Sequence, residues 1–157
     1  MRRKKQLLST EETEKILRNT TSGILAVSGD DGYPYAVPLS YAYEDGKIYF
    51  LCAKEGHKID NIRRDEKVSF CVVDKDQVVP EKFTTFYRSA IAFGRARIVS
   101  EDVVKRHALE LLVKKYSPGF EKAGAEEIKK DFETVCVVEI AVDYLSGKEA
   151  IELVKGK

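Results

Sequence analysis

The sequence predicts a mainly β (α+β) fold, in which five or six antiparallel strands in meander order form a barrel with satellite helices. Two observations lead to this prediction. Short runs rich in β-branched and aromatic residues, bounded by Gly, Pro and Asp turn signals, follow one another along the chain. The longer helical patterns are inserted late, and this order argues for an antiparallel barrel.

The first predicted element is a helix, and a strand follows it. Ser9 and Glu12, three residues apart, form a capping box that predicts a helix over residues 10–19. Residues 20–23 break the helical pattern. Residues 24–28 are then predicted to form a strand, because they are largely apolar and end at a turn rich in Gly and Asp.

The second and third strands form a predicted hairpin. Residues 35–43 are rich in aromatic and β-branched residues, and Asp45-Gly46 is a hairpin signal that joins them to a strand over residues 47–53. Pro38 cannot donate a hydrogen bond to a sheet ladder, so the second strand should have an edge or an interruption at its middle. A ligand could form hydrogen bonds with unpaired strand backbone at this place.

The middle of the chain predicts a short helix and a fourth strand. The helix should follow the loop at residues 54–56 and extend to about Arg64, with two isoleucines as its buried pair. Residues 68–73 are predicted to form a strand, and residues 74–82 a polar loop. The short helix therefore lies between two strands.

The last part of the chain predicts two strands with two helices between them. Residues 84–99 should form a long strand, bent at Gly94, where the missing side chain permits a bulge or a close approach. Apolar residues at helical spacing predict a helix over residues 101–116 and a weaker one over residues 125–132. Residues 134–142 are the last predicted strand.

Composition is that of an ordinary globular protein. The 157 residues correspond to a single domain, predicted to span residues 1–157, with 43% hydrophobic and 34% charged residues. The net charge of +1 gives no global field that would attract nucleic acid or an anionic membrane. No apolar run approaches the roughly 20 residues of a membrane span, and no apolar signal-peptide core follows the basic residues 2–5. We therefore expect a cytoplasmic protein without nucleic-acid or membrane partners.

Cysteine and histidine usage does not indicate a metal site. Cys52, Cys71 and Cys136 are far apart and lie in apolar strand-like runs, so neither a disulfide framework nor a zinc knuckle is indicated. Cys71 and Cys136 fit the role of small core residues. With His57 and His107 as the only histidines, a histidine-rich site is excluded, and no metal is expected.

The strongest chemical signal is the start of the short helix. Gly56-His57-Lys58 opens this helix, and Asn61 follows closely. A helix N-terminus presents unpaired amides and the positive end of a dipole, so it can bind an anion, and Lys58 adds a charge there. From the residues alone two interpretations stay open, a phosphate site and a lysine that simply faces water. No dinucleotide fingerprint, Walker loop or nucleophile elbow is present, and no catalytic acid or base is indicated.

A series of short motifs extends over nearly the whole chain. They occupy residues 1–4, 32–39, 45–50, 52–62, 87–89, 93–94 and 146–150. In this order they resemble the pyridoxamine 5′-phosphate oxidase-like flavoproteins, and most of all the branch that includes the nitroimidazole-resistance proteins. The resemblance implies a six-stranded split β-barrel, a homodimer, and FMN bound in two clefts at the dimer interface.

Carried onto this chain, the resemblance also implies which residues contact FMN. The strand beside the isoalloxazine ring would be formed by Val37, Pro38, Leu39 and Ser40. The segment beside the ribityl chain and the ring would be formed by Leu51, Cys52 and Ala53. The phosphate would be clamped by His57 and Lys58, and further contacts would come from Asn61 and Ser89.

For function, the resemblance implies an FMN-dependent oxidoreductase that passes electrons from the flavin to a small organic acceptor, with nitro compounds as the most specific version. The chain lacks the C-terminal Arg and Trp pattern that pyridoxamine 5′-phosphate oxidases use for substrate, so vitamin B6 oxidation is not expected. One alternative is a non-catalytic flavin carrier or redox sensor, which Leu51 favours because it offers no proton. Another is the same fold holding a deazaflavin or haem, with His57 or His107 as a conceivable haem ligand.

Overall fold

Seven antiparallel strands form one sheet in the computed structural model, which describes residues 3–157. The strands are β1 Gly23–Ser28, β2 Pro34–Leu39, β3 Ala42–Glu44, β4 Lys47–Cys52, β5 Lys67–Val79, β6 Thr84–Ile98 and β7 Cys136–Glu149. The helices are α1 Thr10–Asn19, α2 His57–Arg64, α3 Asp102–Tyr116, α4 Glu121–Asp131 and α5 Ile151–Lys155. Residues 1 and 2, which belong to the first motif of the resemblance, lie outside the described residues.

The strand order is β2-β1-β5-β6-β7-β4-β3, which confirms the antiparallel prediction and corrects the predicted meander. Strands β5, β6 and β7 do follow one another as neighbours. The hairpin of β1 and β2 is attached beside β5, however, and the hairpin of β3 and β4 beside β7. The two N-terminal hairpins therefore flank the later strands.

The two edges of this sheet lie close together. β2 and β3 stand at opposite ends of the strand order, yet only Ser40 and Tyr41 separate them in the chain. Three residue steps from Leu39 to Ala42 span at most about 10 Å. The sheet must therefore curl into a barrel that stays split between β2 and β3, which confirms the predicted split barrel.

The predicted number of six strands is wrong by one. Residues 35–43 do not form one strand, because pairing stops at Leu39 and begins again at Ala42 with a different partner strand. Pro38 lies opposite Ile24 in β2, which is an edge strand. A proline is tolerated in such a strand, because its missing N–H can face the side on which no further strand pairs. The predicted edge at Pro38 is confirmed, and the interruption lies two residues further along.

Strands β5 and β7 are longer than predicted. Residues 74–79, expected in a polar loop, continue β5 and pair with the first residues of β6. Residues 143–149 extend β7 in the same way. Most side chains of residues 74–79 are exposed, so the apolar alternation of a half-buried strand is missing there.

The helices follow the sequence signals closely. α1 has the predicted bounds, and the Ser9 hydroxyl accepts a hydrogen bond from the Glu12 amide at 3.1 Å. α4 begins at Glu121, four residues before the predicted start, and the short α5 was not predicted because five residues show no helical period. No helix in residues 3–157 combines the length and apolar character that a membrane crossing requires.

The predicted bend at Gly94 is confirmed as a register shift between β6 and β7. A side chain at this position would collide with the backbone carbonyl of Ala141 and with the side chain of Ile140. Only glycine lets the two strands approach this closely, so the bulge follows from the missing Cβ.

Two apolar clusters stabilise the molecule. The larger one fills the barrel with residues of several strands and is closed by Ile16 and Leu17 of α1. The second lies outside the barrel, where Leu109 of α3 and Ile128 of α4 pack against Val137 of β7. Helices α3 and α4 therefore cover the outer face of the sheet at β4 and β7.

Candidate functional site

A small pocket lies at the start of α2. Its volume is about 110 Å³. It is lined by Tyr35, Cys52, Ala53, Glu55, Gly56, His57, Lys58 and Ile59. Four predicted FMN contacts, Cys52, Ala53, His57 and Lys58, are thus brought together at one place, which we call the α2 pocket.

The α2 pocket is built around an open helix start. Gly56 is the N-cap of α2, and no side chain caps the first amides of this helix. Its φ of 146° lies in a region that favours glycine. Because a glycine N-cap has no side-chain acceptor, the first amides and the positive end of the helix dipole are available to an anion. The half-buried Lys58 adds a positive charge at the same place.

Asp30 contacts two basic side chains beside the pocket. Its carboxylate lies 3.5 Å from Nδ1 of His57 and 3.0 Å from a guanidinium nitrogen of Arg64. The ring of Tyr35 meets the His57 ring edge-on, with the centroids 4.6 Å apart. His57 is therefore held from two sides, and Lys58 lines the pocket beside it.

Asn61 is buried beneath the start of α2. Its side-chain oxygen accepts a hydrogen bond from Arg64, whereas its Nδ2 has no hydrogen-bond partner among residues 3–157. A buried donor without a partner costs about 1–3 kcal/mol. Asn61 lines neither the α2 pocket nor a larger one, so its role as an FMN contact stays a prediction.

A second pocket lies between the split of the barrel and the two long helices. Leu39 and Ser40 at the end of β2 and Leu51 near the end of β4 form one side of it. Apolar residues of α3 and α4, among them Leu109 and Ile128, form the other. Its volume of about 380 Å³ is in the range of small-molecule sites. We call this the α3–α4 pocket.

The end of α3 is tied to the link between β2 and β3. The amide of Tyr41 donates a hydrogen bond to the Tyr116 hydroxyl at 2.8 Å, and this hydroxyl donates to the Thr21 carbonyl at 2.7 Å. The Lys115 ammonium donates to the Tyr41 carbonyl at 3.0 Å and lies 3.9 Å from the centre of the Tyr41 ring. Burial lowers the pKa of Lys115 to about 8. These contacts fix the wall of the α3–α4 pocket.

The structure does not bring the other predicted site residues into either pocket. Val37 packs against the barrel core, and Pro38 points outward from the edge strand. Ser89 lies on β6 between Val73 of β5 and Lys148 of β7. The roles of these three residues as FMN contacts stay predictions.

Ser89 belongs to an exposed apolar face on the outside of the sheet. Paired residues share one face of a sheet, and two rows across β1, β5, β6 and β7 point outward. One row contains Ile24, Cys71 and Ile91, and the next contains Ala26, Ser69, Phe93 and Tyr144. Phe93 is 50% and Tyr144 74% exposed. A hollow of about 820 Å³ lies over the second row.

Sequence reasoning missed two parts of these sites. Asp30 and Tyr35 reach the α2 pocket from the turn before β2 and from β2 itself, and no local pattern links them to α2. The helices that form the α3–α4 pocket were predicted, but their packing against Leu51 was not. No group of three or more His, Cys, Asp or Glu side chains within the described residues is placed to hold a metal ion.

Comparison with known proteins gives a consistent result. A protein-family model described as pyridoxamine 5′-phosphate oxidase matches residues 9–149. No curated protein matches the sequence. Many solved structures do match. One is a candidate 5-nitroimidazole antibiotic resistance protein of Bacteroides thetaiotaomicron, 23% identical, with a TM-score of 0.74 over 91% of this chain and 86% of that chain.

Two further solved structures that match are described as FAD-binding proteins. An FAD-binding protein of Mesorhizobium loti is 28% identical, with a TM-score of 0.67 over 92% of this chain and 97% of that chain. An FAD- and haem-binding protein of Mycobacterium smegmatis is 21% identical, with a TM-score of 0.77 over 93% of this chain and 73% of that chain. These likenesses extend over nearly all of the barrel and its helices.

Replacement of Tyr116 by Phe tests the link between α3 and the barrel. The variant leaves the Tyr41 amide without its acceptor, so we expect the free energy of unfolding to fall by about 1–3 kcal/mol. Tyr33→Phe is the matched control at an exposed tyrosine, for which a change within about 0.5 kcal/mol is expected. Chemical denaturation measures both, and equal values for the two variants would contradict the proposed link.

Proposed function

The chain belongs to the pyridoxamine 5′-phosphate oxidase family, and from this membership we propose that it binds FMN and passes electrons from the bound flavin to a small organic acceptor. The observation that carries the proposal is the open start of α2, where the half-buried Lys58 lies beside uncapped amides. FMN, when bound, supplies the electron transfer, while the protein supplies position and charge.

The phosphate end is assigned to the α2 pocket. Uncapped helix amides and a lysine are the groups that recognise a phosphate at a helix start. Asp30 does not oppose the ligand, because its charge is paired with Arg64. The similarity to the FAD-binding protein of Mesorhizobium loti supports a bound flavin without specifying which one. The α2 pocket is compact, and the terminal phosphate monoester of FMN fits a pocket of this size.

The ring end is assigned to the region where the two edges of the barrel meet. Leu39, Ser40 and Leu51, predicted to lie beside the flavin, line one wall of the α3–α4 pocket. The largely apolar character of this pocket fits a small organic acceptor stacked near a flat ring and shields it from water. Nitro compounds are one such class.

The second candidate function is a flavin carrier or redox sensor. Leu51 faces the α3–α4 pocket with an apolar side chain and offers no proton to an acceptor. Haem is less well supported, since His107 lies 2.9 Å from the Glu44 carboxylate and His57 is held by Asp30. A deazaflavin would use the same phosphate contacts, so the released cofactor has to be identified by mass.

We assign the exposed apolar face of β1, β5, β6 and β7 to a homodimer interface. Monomeric proteins rarely expose a contiguous apolar surface of this kind, and such surfaces mark interaction sites. Ile91, Phe93 and Tyr144 lie on this face, and so does Ser89. A second copy packed there would cover Ser89, which accounts for its distance from both pockets of its own chain.

Replacement of Lys58 by Ala tests the phosphate assignment. Purified protein should be yellow and release FMN, and Lys58→Ala should raise the FMN dissociation constant about tenfold or more, because one charge-assisted contact is lost. Lys54→Ala is the matched control, since Lys54 is in the loop just before α2 but does not line the pocket. Titration with FMN, followed by flavin fluorescence, measures both. A protein that gains no flavin when FMN is added contradicts the proposal.

Replacement of Phe93 by Arg tests the interface. We expect the parent protein to be a dimer by light scattering and Phe93→Arg to be a monomer, because a charge would be buried between the copies. Phe120→Arg, at an exposed phenylalanine between α3 and α4, should remain a dimer. A stable parent monomer with full FMN occupancy would rule out a cleft shared between two copies.

Anaerobic reduction of the bound flavin separates the enzyme from the carrier. The reduced protein is mixed with nitroaromatics, quinones or oxygen, and the return of the oxidised flavin spectrum is followed by stopped-flow absorbance. We expect one class of organic acceptor to reoxidise the flavin much faster than the others. Equally slow reoxidation by every compound would support the carrier instead. Pyridoxamine 5′-phosphate, offered as electron donor, is expected to leave the flavin oxidised.

A further inference from the structure

Two of the three cysteines face each other across neighbouring strands. Cys52 is the last residue of β4 and Cys136 the first residue of β7, and they are directly opposite partners in the antiparallel pair. Opposite residues project to the same side of the sheet, with Cα atoms about 4.5–5.5 Å apart. This spacing lies within the range that a disulfide spans.

The register shows which kind of pair they form. The Val142 amide donates to the Gly46 carbonyl at 2.9 Å, so Gly46 and Val142 form a hydrogen-bonded pair. Pairs alternate along the ladder, and the register of β4 and β7 contains no shift. Cys52 and Cys136, six residues further along, therefore also form a hydrogen-bonded pair, the kind with the larger Cα separation of about 5.5 Å. The Cα spacing suits a disulfide, but the Cβ atoms of such a pair are about 5 Å apart, against about 3.8 Å in a disulfide. A disulfide there would therefore draw the strands together, and such strain makes a disulfide easier to reduce.

The two thiols differ in access. Cys52 is half-buried and lines the α2 pocket, whereas Cys136 is only 7% exposed. A reagent in solution therefore reaches Cys52 first. Burial raises the pKa of Cys52 to about 12, and contact with Cys136 adds to this rise. The thiol is mostly protonated at neutral pH and reacts slowly, which protects it from casual oxidation.

We propose that Cys52 and Cys136 form a reversible intramolecular disulfide by exchange with a low-molecular-weight disulfide. The sulfur of Cys52 loses its proton and attacks one sulfur of glutathione disulfide, which releases one glutathione and leaves a mixed disulfide. The sulfur of Cys136 then displaces the second glutathione and closes the protein disulfide. Two protein thiols are oxidised and one glutathione disulfide is reduced to two glutathione molecules.

The position of the pair gives the disulfide a consequence for the binding site. Cys52 is part of the wall of the α2 pocket, and the chain continues from it directly into the loop before α2. Closing the bridge moves this strand end toward β7. The redox state of the thiols is thereby coupled to the shape of the α2 pocket.

Incubation of the folded, cofactor-free protein with glutathione disulfide tests the proposal. We expect two of the three thiols to be lost on titration, a mass loss of two hydrogen atoms, and a peptide that joins Cys52 to Cys136 in a non-reduced digest. Dithiothreitol should restore all three thiols. Three unreacted thiols, a stable glutathione adduct on the parent protein, or a bridge between two copies would overturn the proposal. The outcome does not depend on flavin binding, so it is separate from the proposed function.

Single-cysteine variants provide the controls. Cys71→Ser should behave like the parent, because Cys71 lies on the outer face of β5 and not beside the pair. Cys136→Ser should stop at a stable mixed disulfide on Cys52, since no second thiol is left to displace glutathione. Should this buried serine prevent folding, Cys136→Val gives the same readout with an apolar side chain. Release of both glutathione molecules from Cys136→Ser or Cys136→Val would also overturn the proposal.

Discussion

The two-residue link of Ser40 and Tyr41 is the constraint on which both pockets depend. It joins the two edge strands, so it forces the sheet to curl and leaves the split of the barrel beside it. Tyr41 is fully buried, its hydroxyl donates to the Leu17 carbonyl at 2.7 Å, and its backbone is held by Tyr116 and Lys115 at the end of α3. One residue thus ties α1, the barrel and α3 together.

The sequence predicted the parts of the fold that local chemistry determines. The capping box at Ser9 and the missing side chain at Gly94 act within a few residues of themselves, and both predictions are confirmed. The break after Leu39 was placed at Pro38 instead, because the partner that replaces the ladder there is Tyr116, 75 residues away from Tyr41. The extension of β5 over residues 74–79 was missed, because most of these residues are exposed and show no alternation of apolar and polar side chains.

In the candidate site, too, the sequence predicted the features that depend on local residues and missed those that depend on tertiary packing. The start of α2 could be predicted from residues 56–58, since a helix start attracts anions whatever surrounds it. Its supports could not, because Asp30 and Tyr35 reach His57 only through tertiary folding. The α3–α4 pocket is a similar case, in which Leu51 meets two helices from the other half of the chain. A local residue pattern can identify a side chain or helix start that binds a ligand, but tertiary packing determines which other residues surround it.

The separation of the two apolar clusters has a consequence for how such proteins diverge. The barrel interior carries the fold, while α3 and α4, which supply most of the wall of the α3–α4 pocket, pack in the outer cluster. Substitutions on the pocket side of these helices can reshape the cavity without disturbing the strands within. Related chains can therefore exchange one small molecule for another while the cradle at the start of α2 stays the same.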